Sequence, residues 1–180
     1  MGARKLDPTR LDVAALATEG ASLSGQWAAS DLDRWCAMQT PGPGAAPEPV
    51  HWGVRGEQRR AVGRPPQIWL HLHVKTVAWP TCQRCLRPFS EVVTVDRALC
   101  FVDGEAQAEA LDADSEDDVL ALEPALDLRT LVEDELLLAW PIVPRHAHCA
   151  APDHRAGDDA AASANPFAAL TSLKPPAAGG

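Results

Sequence analysis

The sequence predicts an α+β fold: an antiparallel sheet built from central hairpins, covered by a few helices, with an acidic loop and a flexible C-terminal tail. Three observations lead there. "QIWLHLHVKTVAW" (67–79) and, in part, "FSEVVTVDRALCFV" (89–102) alternate with the period of two that sends successive side chains to opposite sheet faces. Only a short turn separates these two runs, so they read as the arms of one hairpin. "LDLRTLVEDELLLAWP" (126–141) instead repeats its apolar residues at helical spacing and stops at Pro141.

From the N-terminus, "DPTRLDVAALATEG" predicts a short helix from about Pro8, with Asp7 as N-cap and proline at the first helical position. "ASLSGQWAA" is read as a strand, and "SDLDRWCAMQ" as a second short helix capped by Ser30 or Asp31. "TPGPGAAPEP" is a loop, because four prolines and two glycines leave little else. "VHWGVR" and "QRRAV" flank Gly56 like the arms of a hairpin. In the following strand Ile68, Leu70, Leu72, Val74 and Ala78 form a core face. Trp69, His71, His73, Lys75, Val77 and Trp79 form a mixed one.

The acidic run 103–125 is weakly patterned and reads as an exposed, mobile connector. In the long helix Asp127 is the N-cap. Leu128, Leu131, Val132, Leu136 and either Leu138 or Ala139 supply the buried stripe, and Glu133, Asp134 and Glu135 the solvated side. These elements make a single α+β domain over 1–145. Residues 146–180 are a polar tail with a short helix near 166–173, capped by Asn165, whose Phe167, Leu170 and Leu173 would dock on the domain or bind a partner.

Apolar residues make up 46% of the 180-residue chain and charged residues 23%, ordinary values for a globular protein. A net charge of -9 argues against wholesale polyanion binding. The charge is nevertheless polarised. Val50 to Arg97 holds eight basic residues against three acidic ones, and Asp103 to Glu135 thirteen acidic residues against Arg129 alone. The start "MGARKLDPTRLDVAAL" is broken before an apolar signal region forms, and "LLLAWPIVP" is too short to span a bilayer. A cytoplasmic protein with no membrane partner is expected, its thiols reduced or metal-bound.

"WPTCQRCLRPF" (79–89) carries the chemistry of greatest interest. Cys82 and Cys85 have the C-x2-C spacing that presents two thiolates to one tetrahedral ion. The credible further ligands are in "RHAHC": Cys149 with His146 or His148. A zinc ion held by Cys82, Cys85, Cys149 and His146 would tie the hairpin tip to the end of the long helix. The competing readings are reduced thiols in a tight turn and, more weakly, a redox pair. A redox pair normally sits where a strand enters a helix, but here a strand follows. Cys36 and Cys100 read as small apolar residues. Arginines interleaved with Trp69 and Trp79 on a sheet suit RNA backbone contact with base stacking. They equally suit tryptophans packed beneath a helix. No Gly-rich phosphate loop, G-x-S-x-G elbow or H-E-x-x-H pattern occurs.

"CQRCLRPF", "LDLRTLVEDELLLAWPIVPRH" and the closing "NPFAALTSLK", in this order, resemble the YceD family, the bacterial large ribosomal RNA subunit accumulation proteins. The resemblance runs from about Val50 onward and fits "DPTRLD" as well. It implies a part in the synthesis, processing or accumulation of large-subunit (23S) ribosomal RNA, in a family not known as a catalyst. It carries Cys82 and Cys85 directly. Some branches have further C-terminal cysteines, where this chain has only Cys149. The expectation is a non-enzymatic ribosome-biogenesis factor without catalytic residues. Arg84 and Arg87 at the hairpin tip, with Lys75 or Arg97 beside it, would contact RNA phosphates. The alternative is a protein adaptor that recruits a ribosomal protein or an RNA-processing enzyme without touching RNA. A zinc hydrolase is least favoured, since no carboxylate is placed with the cysteines.

Overall fold

Five strands form one sheet in chain order, β1 (Ser22–Trp27), β2 (Val50–Arg59), β3 (Gln67–Ala78), β4 (Glu91–Val102) and β5 (Asp118–Ala121). The first four are antiparallel, and β5 runs parallel to β4. The helices are α1 (Val13–Glu19), α2 (Asp33–Met38), α3 (Glu105–Asp112) and α4 (Leu128–Leu138). This computed structural model describes residues 6–60, 66–113, 115 and 117–150. The C-terminal tail beyond 150, with Phe167, Leu170 and Leu173, lies outside the described residues.

The long hairpin forms as its alternation predicts. Leu70 lies opposite Leu99 and Val74 opposite Val95, and all four are buried on one face. Against that face pack Leu16 of α1, Trp35 of α2 and Leu128, Val132 and Leu136 of α4, all at 0% exposure. Each fully buried aliphatic side chain contributes about 1.5–3 kcal/mol of transfer free energy. Most of the stability therefore sits in this layer.

Five local expectations change in the structure. The first helix begins at Val13, not Pro8. Asp7 instead caps a turn, and buried Leu11 is extended, exchanging two backbone hydrogen bonds of 2.8 and 2.9 Å with Leu126. Asp12 then becomes the N-cap. Gly56 makes no hairpin, because β2 runs straight through it. A Cβ there would lie 2.4 Å from the Leu16 carbonyl carbon, so the glycine lets α1 rest directly on the strand.

Neither Ser30 nor Asp31 caps α2. The Glu133 carboxylate of α4 accepts from the Arg34 and Trp35 amides at 2.7 and 3.1 Å. The acidic segment carries α3 and β5 and not only loop. Ala108 and Val119 bury the outer face of Trp69 and Cys100 there. This settles the reading of Trp69, which is 3% exposed under the Arg59 guanidinium, 3.9 Å from the ring centroid. In α4, Leu138 and Ala139 both face solvent, and Glu135 takes the inward position because it accepts from Arg97 at 3.1 Å.

Candidate metal centre

The β3–β4 connection is a knuckle. Thr81 and Pro88 form an isolated bridge at its base. The Cys82 amide donates to the Arg87 carbonyl and the Leu86 amide to the Cys82 carbonyl, both at 2.9 Å. Closing so tightly forces Leu86, the residue after the second cysteine, to φ 59°. That is the left-handed region, costly for any residue but glycine. Strain kept in a non-glycine residue beside two thiols marks a conformation imposed by its surroundings.

Pro141 and Pro144 prevent the chain after α4 from continuing as helix. It runs instead onto the knuckle, where the Gln83 amide donates to the Pro144 carbonyl at 2.9 Å. His146 follows, its ring 4.7 Å from that of Phe89. The result is a cluster of Cys82, Cys85, His146 and Cys149 whose ligand atoms all lie within 4.8 Å of one another. The Cys82 and Cys149 sulfurs are 3.6 Å apart, and Cys85 Sγ is 3.3 Å from His146 Nδ1. Of the two histidines in "RHAHC", the cluster uses His146.

The donor set fits zinc. Bonds of about 2.3 Å to sulfur and about 2.0–2.1 Å to nitrogen place tetrahedral sulfurs about 3.8 Å apart and a sulfur–nitrogen pair about 3.6 Å apart. The two short separations here lie within a few tenths of an ångström of those values. The protonation chemistry is also suited to a cation. Burial pushes the Cys82 thiol up, but backbone N–H groups of Cys85, His146 and Arg84 outweigh it and bring it down to about 5. Burial pushes Cys85 up, and the neighbouring thiols Cys82 and Cys149 add to the rise. Two thiols crowded together resist ionising together unless a cation replaces the protons.

Arg84 lies within this shell. Its Nε donates to Cys149 Sγ at 3.0 Å, and an Nη to the His146 carbonyl at 3.4 Å. The hydrogen bond to Cys149 holds its pKa above the ordinary arginine value. Three thiolates and a divalent ion leave one net negative charge, which this guanidinium offsets. Sequence reasoning placed Arg84 at the tip but missed this role. Its position between the two cysteines was the available signal.

The other candidate RNA contacts are distributed unevenly. Arg97 is bound to Glu135 at 3.1 Å and approaches Asp118 at 3.6 Å. Lys75 and Arg87 are exposed and form no ion pair among the described residues. Among the described residues no helix is long and apolar enough to cross a membrane.

Comparison with known proteins gives a consistent picture. The profile of a family described as "Large ribosomal RNA subunit accumulation protein YceD" matches residues 70–174, more than half of the chain and the stretch that holds all four clustered ligands. A protein of Haemophilus influenzae carrying that same description is 35% identical over 100 residues. The match covers 52% of this chain and 58% of that relative. No solved structure matches.

Proposed function

Since the chain belongs to the YceD family, we propose that it is a non-enzymatic, cytoplasmic factor for the accumulation of large-subunit ribosomal RNA that contacts that RNA directly. The observation that carries the non-catalytic reading is the closed cluster of Cys82, Cys85, His146 and Cys149. A site with four protein ligands is of the structural kind, whereas catalytic zinc keeps a position for water or substrate. When bound, zinc would supply a crosslink between two distant parts of the chain and no reactive group. The residues do the rest. Leu86 and the turn amides shape the knuckle, Phe89 packs against the imidazole, and Arg84 offsets the charge.

Direct RNA contact is supported by the exposed cations that have no acidic partner among the described residues, Lys75 and Arg87, on the basic half of an otherwise acidic chain. The test is depletion of the protein in its own cells, with crosslinking of the tagged chain read out for RNA and protein together. Large-subunit ribosomal RNA should fall relative to small-subunit RNA, and crosslinks should map to large-subunit RNA or its precursor. Unchanged RNA levels would refute the accumulation role. Crosslinks to protein alone would replace direct contact with the adaptor mechanism.

A further inference from the structure

The outer face of the sheet is only partly covered. At one end α3 sits over Trp69 and Cys100. Beyond it, β1 to β4 leave a shallow groove of about 490 Å³, with Asp96 of β4 in its lining. Its floor is small: Gly53 on β2, flanked by Ser22 and Ser24 on β1. Both serines are exposed, and their hydroxyls have no protein partner among the described residues. Arg55 and the two histidines of β3, His71 and His73, rise from the same face, and Lys75 extends the row by one pleat.

The charges on this face are unequal. Glu57 alone serves three groups: Arg55 at 3.8 Å, Arg59 at 3.1 Å and His71 at 2.5 Å. Asp96 is occupied by His73 at 2.6 Å. Arg55 retains 55% side-chain exposure, and Lys75 has no carboxylate at all among the described residues. The groove thus presents cations and hydroxyl donors around a floor low enough for a chain to approach the sheet backbone. The acidic helix α3 closes only one end.

We propose that this groove holds a single-stranded segment of RNA by its phosphodiester backbone, with Arg55, Lys75 and the two serines as the phosphate contacts. The inference rests on the direct-contact reading above and deepens it, because it moves the RNA from the knuckle to the open sheet face. Charge complementarity selects the occupant: a polyanion gains from surplus cations and released counterions. The knuckle is the poorer candidate, because Arg84 there is committed to Cys149.

The test uses the full-length chain and a fluorescein-labelled single-stranded oligonucleotide of large-subunit ribosomal RNA sequence, followed by anisotropy over a salt series. Gly53→Glu places a carboxylate on the floor. The substitution fits, because a Cβ there meets nothing nearer than Ser24 Cβ at 3.8 Å. It should weaken binding at least tenfold. Arg55→Ala with Lys75→Ala, both at exposed positions, should lower the log–log salt slope by about 1.4, since each single-strand phosphate contact contributes about 0.7. Arg129→Ala, at an exposed position of α4 on the other side of the sheet, should leave affinity within twofold. Wild-type affinity in both groove variants, with RNA binding otherwise intact, would overturn the groove and leave direct contact standing. A wild-type chain that binds no RNA would overturn both. A poly-glutamate peptide that outcompetes the RNA and is itself lost in Gly53→Glu would assign the groove to an acidic protein segment instead.

Discussion

Arg84→Ala separates the two roles open to this arginine. The structure gives it one close contact, Nε to Cys149 Sγ at 3.0 Å, and a weaker one at 3.4 Å to the His146 carbonyl. Both partners belong to the cluster, so the loss should appear first in the metal. Groups that hydrogen-bond to metal ligands typically contribute about 10–100-fold in affinity. Arg84 is solvent-exposed, and only one of its two bonds is short, so the lower end applies. Competition of the untagged, reduced chain against a chromophoric chelator should show zinc affinity falling about tenfold. Arg84→Lys should fall between, because it restores the charge but not a fixed Nε–H direction. The zinc-loaded Arg84→Ala chain should keep its RNA affinity and salt slope, since a phosphate contact would have contributed to both. Unchanged zinc affinity together with weakened RNA binding would refute this reasoning and return Arg84 to the RNA surface.

Three further outcomes follow from the packing. Gly56→Ala should destabilise the fold by about 3 kcal/mol or prevent folding, the upper range for overpacking, because its Cβ meets Leu16 and Ala17 backbone at 2.4–2.5 Å; a urea midpoint equal to wild type would refute the close approach of α1. Leu86→Gly should stabilise the chain by about 0.5–1 kcal/mol, the strain released less the added freedom of the unfolded chain, since Leu86 is 64% exposed at φ 59°. A lower midpoint at unchanged slope would show that the left-handed conformation carries no strain. Glu133→Ala should cost about 1–2 kcal/mol as a lost helix cap, while Asp134→Ala, whose only ion pair among the described residues is with exposed Arg34, should leave the midpoint where it is. Equal effects of the two substitutions would deny that Glu133 caps α2.

Much of the fold is legible because it depends on local chemistry. Period-two alternation marks β3 and β4, Asp127 caps α4, and the C-x2-C turn has to lie between two strands that share a register. The members of the thiol–imidazole cluster were accessible for a related reason. Thiolate spacing is a local property, and few soft donors elsewhere in the chain were placed to complete the set. The choice of His146 over His148 was not local, since it depends on how the chain after Pro144 lies against Gln83 and Phe89.

What the sequence by itself determined, then, are the long β3–β4 hairpin, the long helix and the paired thiols at the hairpin tip, because each follows from neighbours a few residues apart. Only the tertiary structure decided the remainder. Gly56 looks like a turn until α1 lies across it. The acidic run looks unstructured until β4 offers β5 a parallel partner and Trp69 offers Ala108 an apolar surface. Glu133 and Glu135 look solvated until the amides of α2 and the guanidinium of Arg97 arrive from far along the chain. Arg84 looks like a free surface charge until Cys149 is brought beside it. In each case the deciding partner is distant in sequence, and a charge or a glycine acquires its role only when folding brings that partner within contact distance.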